Sequence, residues 1–68
     1  MELFINGKRE QLDDARTLVR VLERMQLDIN QGGIAVAVND KVVSKSDWPT
    51  KAIHAGDRIE VIHAVQGG

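Results

Sequence analysis

Cysteine is absent from this sequence, which excludes disulfides, thiolate metal ligands and any cysteine nucleophile or persulfide. A small core then has to hold by packing and sheet hydrogen bonds alone. Blocks of like charge are also missing: nine Lys and Arg stand against ten Asp and Glu, with a net charge of -1 at pH 7. The signs alternate along the chain, so nucleic acid is not an expected partner. No apolar run approaches the ~20 residues that span a bilayer, and Met1–Ile5 lack the apolar core of a signal peptide. The expectation is a cytoplasmic protein with no membrane contact. The chain's 68 residues make one domain at most, because so short a chain buries only ~60% of the surface it exposes when unfolded. A deep catalytic pocket is not expected. An apolar fraction of 43% and a charged fraction of 28% are those of a folded globular domain.

The pattern along the chain predicts an opening hairpin. Glu2 to Asn6 reads as a strand, Asn6-Gly7 as a two-residue turn that accepts positive φ, and Lys8 to Leu12 as the returning strand. Asp13 to Arg16 is a polar connection, after which Thr17 is placed to cap a helix by side-chain hydrogen bonding. That helix is predicted to run to about Leu27, with Leu18, Val21 or Leu22, and Met25 forming an apolar stripe against a sheet. Asn30 to Gly33 mark its end. Ile34 to Asn39 alternates large and small apolar residues, as an inner strand covered on one face and close-packed on the other. Asn39-Asp40 suggests a turn, Lys41 to Val43 a short return strand, and Ser46 to Pro49 a loop. Ala55-Gly56-Asp57 is a turn before a last strand, Arg58 to Ala64. The expected class is α+β: a β-grasp domain over residues 1–64, with a mixed sheet of four to five strands and one main helix on one face.

Residues 65–68 are expected to form a flexible tail ending Gly67-Gly68. Terminal glycines are common at frayed ends and in cloning scars, so the pair alone carries little weight. Its position after the last strand carries more, since Val65 to Gly68 extended would reach ~14 Å at ~3.3 to 3.6 Å per residue. Lacking a Cβ, glycine passes through a narrow tunnel and brings the backbone close to a reactive group. The terminal carboxylate is a poor acyl electrophile until joined to a better leaving group such as AMP. With no cysteine in the chain, any sulfur chemistry would have to use that carboxyl.

Several segments together resemble the ThiS family, the sulfur carriers of thiamine biosynthesis. They are Ile34-Ala35-Val36-Ala37-Val38-Asn39, Val42-Val43, Ser46-Asp47-Trp48, Gly56-Asp57-Arg58-Ile59-Glu60 and Ala64-Val65-Gln66-Gly67-Gly68. The opening Ile5-Asn6-Gly7 and Thr17-Leu18-Val19-Arg20-Val21-Leu22 resemble the family's first turn and helix, so the likeness spans nearly the whole chain. The family often has Pro-Arg where this chain has Ser44-Lys45, which keeps the charge and loses the rigid proline. The resemblance implies a ubiquitin-like β-grasp fold and a non-enzyme that binds no cofactor. It implies that Gly68 is adenylated by an E1-like partner that consumes ATP, then converted to a thiocarboxylate. Val65, Gln66 and Gly67 would enter the partners' active sites. The implied partners are that adenylating enzyme, thiazole synthase as sulfur acceptor, and a sulfur donor such as a cysteine desulfurase, with the free carrier a monomer.

Two alternatives stand beside this. A molybdopterin synthase small subunit would share the fold and the Gly-Gly ending, although that family typically places prolines shortly before its glycines, where this chain has His63 and Ala64. A noncatalytic β-grasp binding module would have a tail that never reacts. A hydrolase or transferase finds no Ser-His-Asp set, carboxylate pair or phosphate loop in the sequence. Trp48, the only tryptophan, is expected to pack in the core rather than anchor a partner. His54 and His63 have no third ligand beside them, so no metal site is expected. On the last strand Ile62 and Ala64 alternate with Ile59, Val61 and His63, and Phe4 with Ile62 is the candidate partner-docking patch on the sheet's open face.

Overall fold

The computed structural model describes residues 1–30 and 32–63. The chain begins with strands β1 (Glu2–Ile5) and β2 (Lys8–Gln11), followed by helix α1 (Leu18–Arg24). Strands β3 (Ile34–Val38) and β4 (Lys41–Val43), a short 3-10 helix at Lys45–Asp47, and β5 (Arg58–His63) complete it. The sheet order is β2-β1-β5-β3-β4. β5 lies between β1, to which it is parallel, and β3, to which it is antiparallel. This is the β-grasp arrangement expected from the sequence, with the last strand returning beside the first.

Both hairpins close through two-residue turns whose central residues have positive φ, as the twist of the flanking strands favours. In the first, Ile5 opposes Lys8 across Asn6 (φ 51°) and Gly7 (φ 80°). In the second, Val38 opposes Lys41 across Asn39 (φ 50°) and Asp40 (φ 70°). The first hairpin stays paired past the end of β2, where Met1 and Leu12 exchange two hydrogen bonds of 2.8 and 2.9 Å.

Alternation then decides which side chains enter the core. Leu3 and Ile5 on β1, Val36 and Val38 on β3, and Ile59 and Val61 on β5 are all buried beneath Leu18, Val21 and Leu22 of α1. Register aligns them, since Ile5 opposes Ile59, which opposes Val38, and Val61 opposes Val36. Trp48 closes the core, 2% exposed, and its indole N–H donates to the Val43 carbonyl at 3.0 Å. The expected packing role of Trp48 is therefore the observed one.

Four local expectations need correction. The helix ends at Arg24, not near Leu27. Gln26 takes up a left-handed conformation (φ 61°), and the N–H groups of Gln26 and Leu27 turn back to the carbonyls of Glu23 and Leu22 at 2.9 and 3.1 Å. This is a Schellman closure with glutamine in the position usually held by glycine. Thr17 does precede the helix, yet its side chain makes no capping bond. The free amides of Leu18 and Val19 donate instead to the carbonyls of Lys51 and Trp48, at 2.9 and 3.0 Å, and Thr17 bridges Ala52. Ala15, read as part of a polar connection, is fully buried. β3 is an inner strand covered on one face only, for Ala35 on its other face is exposed.

Candidate functional site

The residues expected to carry the chemistry, Gly68 with Val65, Gln66 and Gly67, lie outside the described residues, as does Ala64. What the structure describes is the support on which they are mounted. β5 is the third of five strands in the sheet order and pairs with β3 along five residues, from Val38 opposite Ile59 to Ile34 opposite His63. Its pairing with β1 covers only Phe4 with Arg58 and Ile5 with Ile59. Four residues of β5 therefore run on past the last β1 pair before the tail begins.

Two asparagines hold β5 from its flanks. Asn39 donates its N–H to the Arg58 carbonyl (2.7 Å), and its Oδ1 accepts from the Arg58 N–H (2.9 Å). Asn6 donates its N–H to the Ile59 carbonyl, and its Oδ1 accepts from the Val61 N–H, both at 2.8 Å. The sequence marked both as turn residues. Their reach into a strand far along the chain left no local signal.

Phe4 and Ile62 do share the open face of the sheet, but they do not form one patch. Phe4 is half-buried, with Arg9 and Arg58 as its cross-strand partners. Ile62, 57% exposed, lies four residues further along β5, ~13 Å at ~3.3 Å per residue. Its neighbour is Ala35. Two residues along the same face of β3, Ala37 opposes Val42, which is 78% exposed. The continuous apolar strip is thus Ile62, Ala35, Ala37 and Val42, with Glu60 opposite Ala37 on its inner border. Val42 was missed as a surface residue because its exposure follows from the register of an edge strand, which the short run Lys41-Val42-Val43 does not declare.

His54 and His63 are separated by the length of β5. The N–H of His54 donates to Asp57, just before the strand begins, whereas His63 is its last residue. Among the described residues there is no group of three or more His, Cys, Asp or Glu able to hold a metal ion, and no helix is long and apolar enough to cross a membrane.

Comparison with known proteins agrees with this architecture. The model of the ThiS family matches residues 3–68. The sulfur carrier protein ThiS of Escherichia coli is 31% identical over 68 residues, covering all of both chains. That of Thermus thermophilus is 32% identical over 66 residues, covering 97% of this chain and 98% of its own. A thiazole synthase of Paramagnetospirillum magneticum is 29% identical over 68 residues, all of this chain and 20% of that protein. In structure, the crystallised thiamine biosynthesis protein ThiS of Geobacter metallireducens superposes with a TM-score of 0.82 at 23% identity, covering both chains fully. A likeness at that identity speaks for the fold alone. With a family match over nearly its whole length and two carriers above 30% identity, the chain belongs to the ThiS family of thiamine-biosynthesis sulfur carriers.

Proposed function

We propose that Gly68 is the working group of this carrier and that the folded domain has no active site of its own. The observation that carries the reading is that the family match runs on through Gly67 and Gly68, beyond a β5 strand anchored in the middle of the sheet. A partner enzyme joins the Gly68 carboxylate to AMP from ATP and releases pyrophosphate. The terminal sulfur of a persulfide, supplied by a donor such as a cysteine desulfurase, then displaces AMP to form an acyl disulfide. A second thiol cleaves its S–S bond, leaving the sulfur on the Gly68 acyl group and a disulfide between the two thiols. The product is a thiocarboxylate whose sulfur passes to thiazole synthase. ATP belongs to the partner, and the carrier holds no cofactor.

The likeness of this chain to one fifth of a thiazole synthase supports that enzyme as a partner. Val65, Gln66 and Gly67 form the arm that enters partner active sites. The open face of the sheet is the docking surface, with Ile62 and Val42 at its exposed apolar end and Phe4 at its charged flank. A monomeric cytoplasmic protein suits these serial encounters. Deleting Gly68 tests the reading: the truncated chain should melt like the full one and accept no sulfur from a competent activating system. Undiminished transfer by the truncated chain would refute it.

A further inference from the structure

We infer that Asn6 is a positioning residue for the tail: its side chain fixes the last stretch of β5 and so sets the direction in which the chain leaves the sheet. The inference rests on the carrier reading above. Its basis is the way the β1–β5 ladder ends. In a parallel ladder, a residue that donates its N–H to one carbonyl accepts, through its own carbonyl, from the N–H two residues further along. Asn6 makes the first of these bonds, to Ile59. The second bond, from the Val61 N–H, goes to the Asn6 side-chain Oδ1 at 2.8 Å.

Asn6 is already in the turn, at φ 51°. The side-chain oxygen therefore extends the ladder by one step after the main chain has turned away. Val61 is buried, so its N–H has little access to water in place of that oxygen. Beyond it, Ile62 and His63 are paired through β3 on one side, and the next five residues lead to Gly68. The angular freedom of β5 at Val61 thus sets the direction in which His63, the last residue of the strand, points the chain out of the sheet.

Asparagine meets two demands at once here, a left-handed backbone and an acceptor of the right length. Glycine meets only the first, and aspartate meets both. Glutamine tolerates the backbone, as Gln26 of this chain shows at φ 61°, but carries its acceptor one methylene further out.

The test compares Asn6→Gly with Asn6→Asp in the full chain. Exchange of the Val61 amide and steady-state adenylation are both read, the latter as pyrophosphate released by the activating enzyme at varied carrier concentration. In Asn6→Gly the Val61 amide should lose protection, and kcat should fall about 10-fold with KM changed far less, as expected for a misdirected nucleophile on an intact docking face. Asn6→Asp should resemble the unmodified chain in both. Should Asn6→Gly melt below the assay temperature, the same two readouts are taken on Asn6→Gln, with the same expectation. Unchanged Val61 exchange, an unchanged kcat, or a rise in KM alone would overturn the inference. A failure of the unmodified chain to be adenylated would instead defeat the carrier reading, so the two failures are distinguishable.

Discussion

Asn39 and Arg58 exchange two hydrogen bonds at the start of β5, 2.7 Å from the Asn39 N–H to the Arg58 carbonyl and 2.9 Å from the Arg58 N–H to the Asn39 Oδ1. The Asn39 amide also donates to Asp57 at 3.1 Å, and Asp57 accepts the His54 N–H at 2.8 Å. One turn residue thereby ties the β3–β4 hairpin to the turn that launches β5. Asn39→Ala removes the side-chain bonds and leaves an alanine at φ 50°, so a loss of about 2 kcal/mol is expected. Asn39→Gly removes the same bonds without the backbone strain and should lose less. Urea melts of the two variants check the order, and an alanine variant as stable as the glycine one would contradict the account.

Gln26 gives the opposite sign. It holds the left-handed position after α1 at φ 61°, where a side chain is strained and glycine is not. Gln26→Gly should stabilise the domain by roughly 0.5 to 1 kcal/mol, seen as a melting temperature raised by several degrees. A lowered melting temperature would show that the Gln26 side chain contributes more than its backbone costs.

Trp48 separates core packing from partner anchoring. Trp48→Ala should cost ~3 to 5 kcal/mol, comparable to the ~3 to 10 kcal/mol that holds a domain of this size together, and should leave the chain largely unfolded by circular dichroism. Trp48→Phe loses the bond to Val43 and should cost ~1 to 2 kcal/mol. A phenylalanine variant with unchanged melting and weakened partner binding would instead mark Trp48 as an interface residue.

The apolar strip makes a contrasting pair. Ile62→Asp and Val42→Asp alter exposed residues, so each should change stability by less than ~1 kcal/mol. Each should raise the KM for the activating enzyme about 10-fold or more, as expected for a charge placed on the apolar part of a docking face. Unchanged KM values for both would move the docking surface elsewhere.

The strands and their succession along the chain are legible because the signals are local, whereas the β-grasp pairing follows from topology rules rather than from any local signal. Asn6-Gly7 names its own turn, and the alternation of Ile59 and Val61 against Glu60 and Ile62 states which side of β5 is buried. What escaped depends on partners distant in the chain. Thr17 looked like a side-chain cap, but the carbonyls of Trp48 and Lys51, some thirty residues on, reach the helix amides first. The helix stop at Gln26 has no compositional signature, while Gly32 and Gly33 advertise one too late. For the candidate site, the face shared by Phe4 and Ile62 could be read from alternation. Their separation, and the place of Val42 beside Ala37, are properties of register, which appears only when strands pair.

The carrier mechanism itself is tested most directly by the intact mass of the protein, with C-terminal fragmentation, after incubation with its host's activating enzyme, ATP, cysteine and a cysteine desulfurase. The account expects a shift corresponding to one oxygen exchanged for sulfur, located on Gly68. An unchanged mass, with the same enzymes active on an established carrier, would contradict it and leave a β-grasp module that binds without reacting.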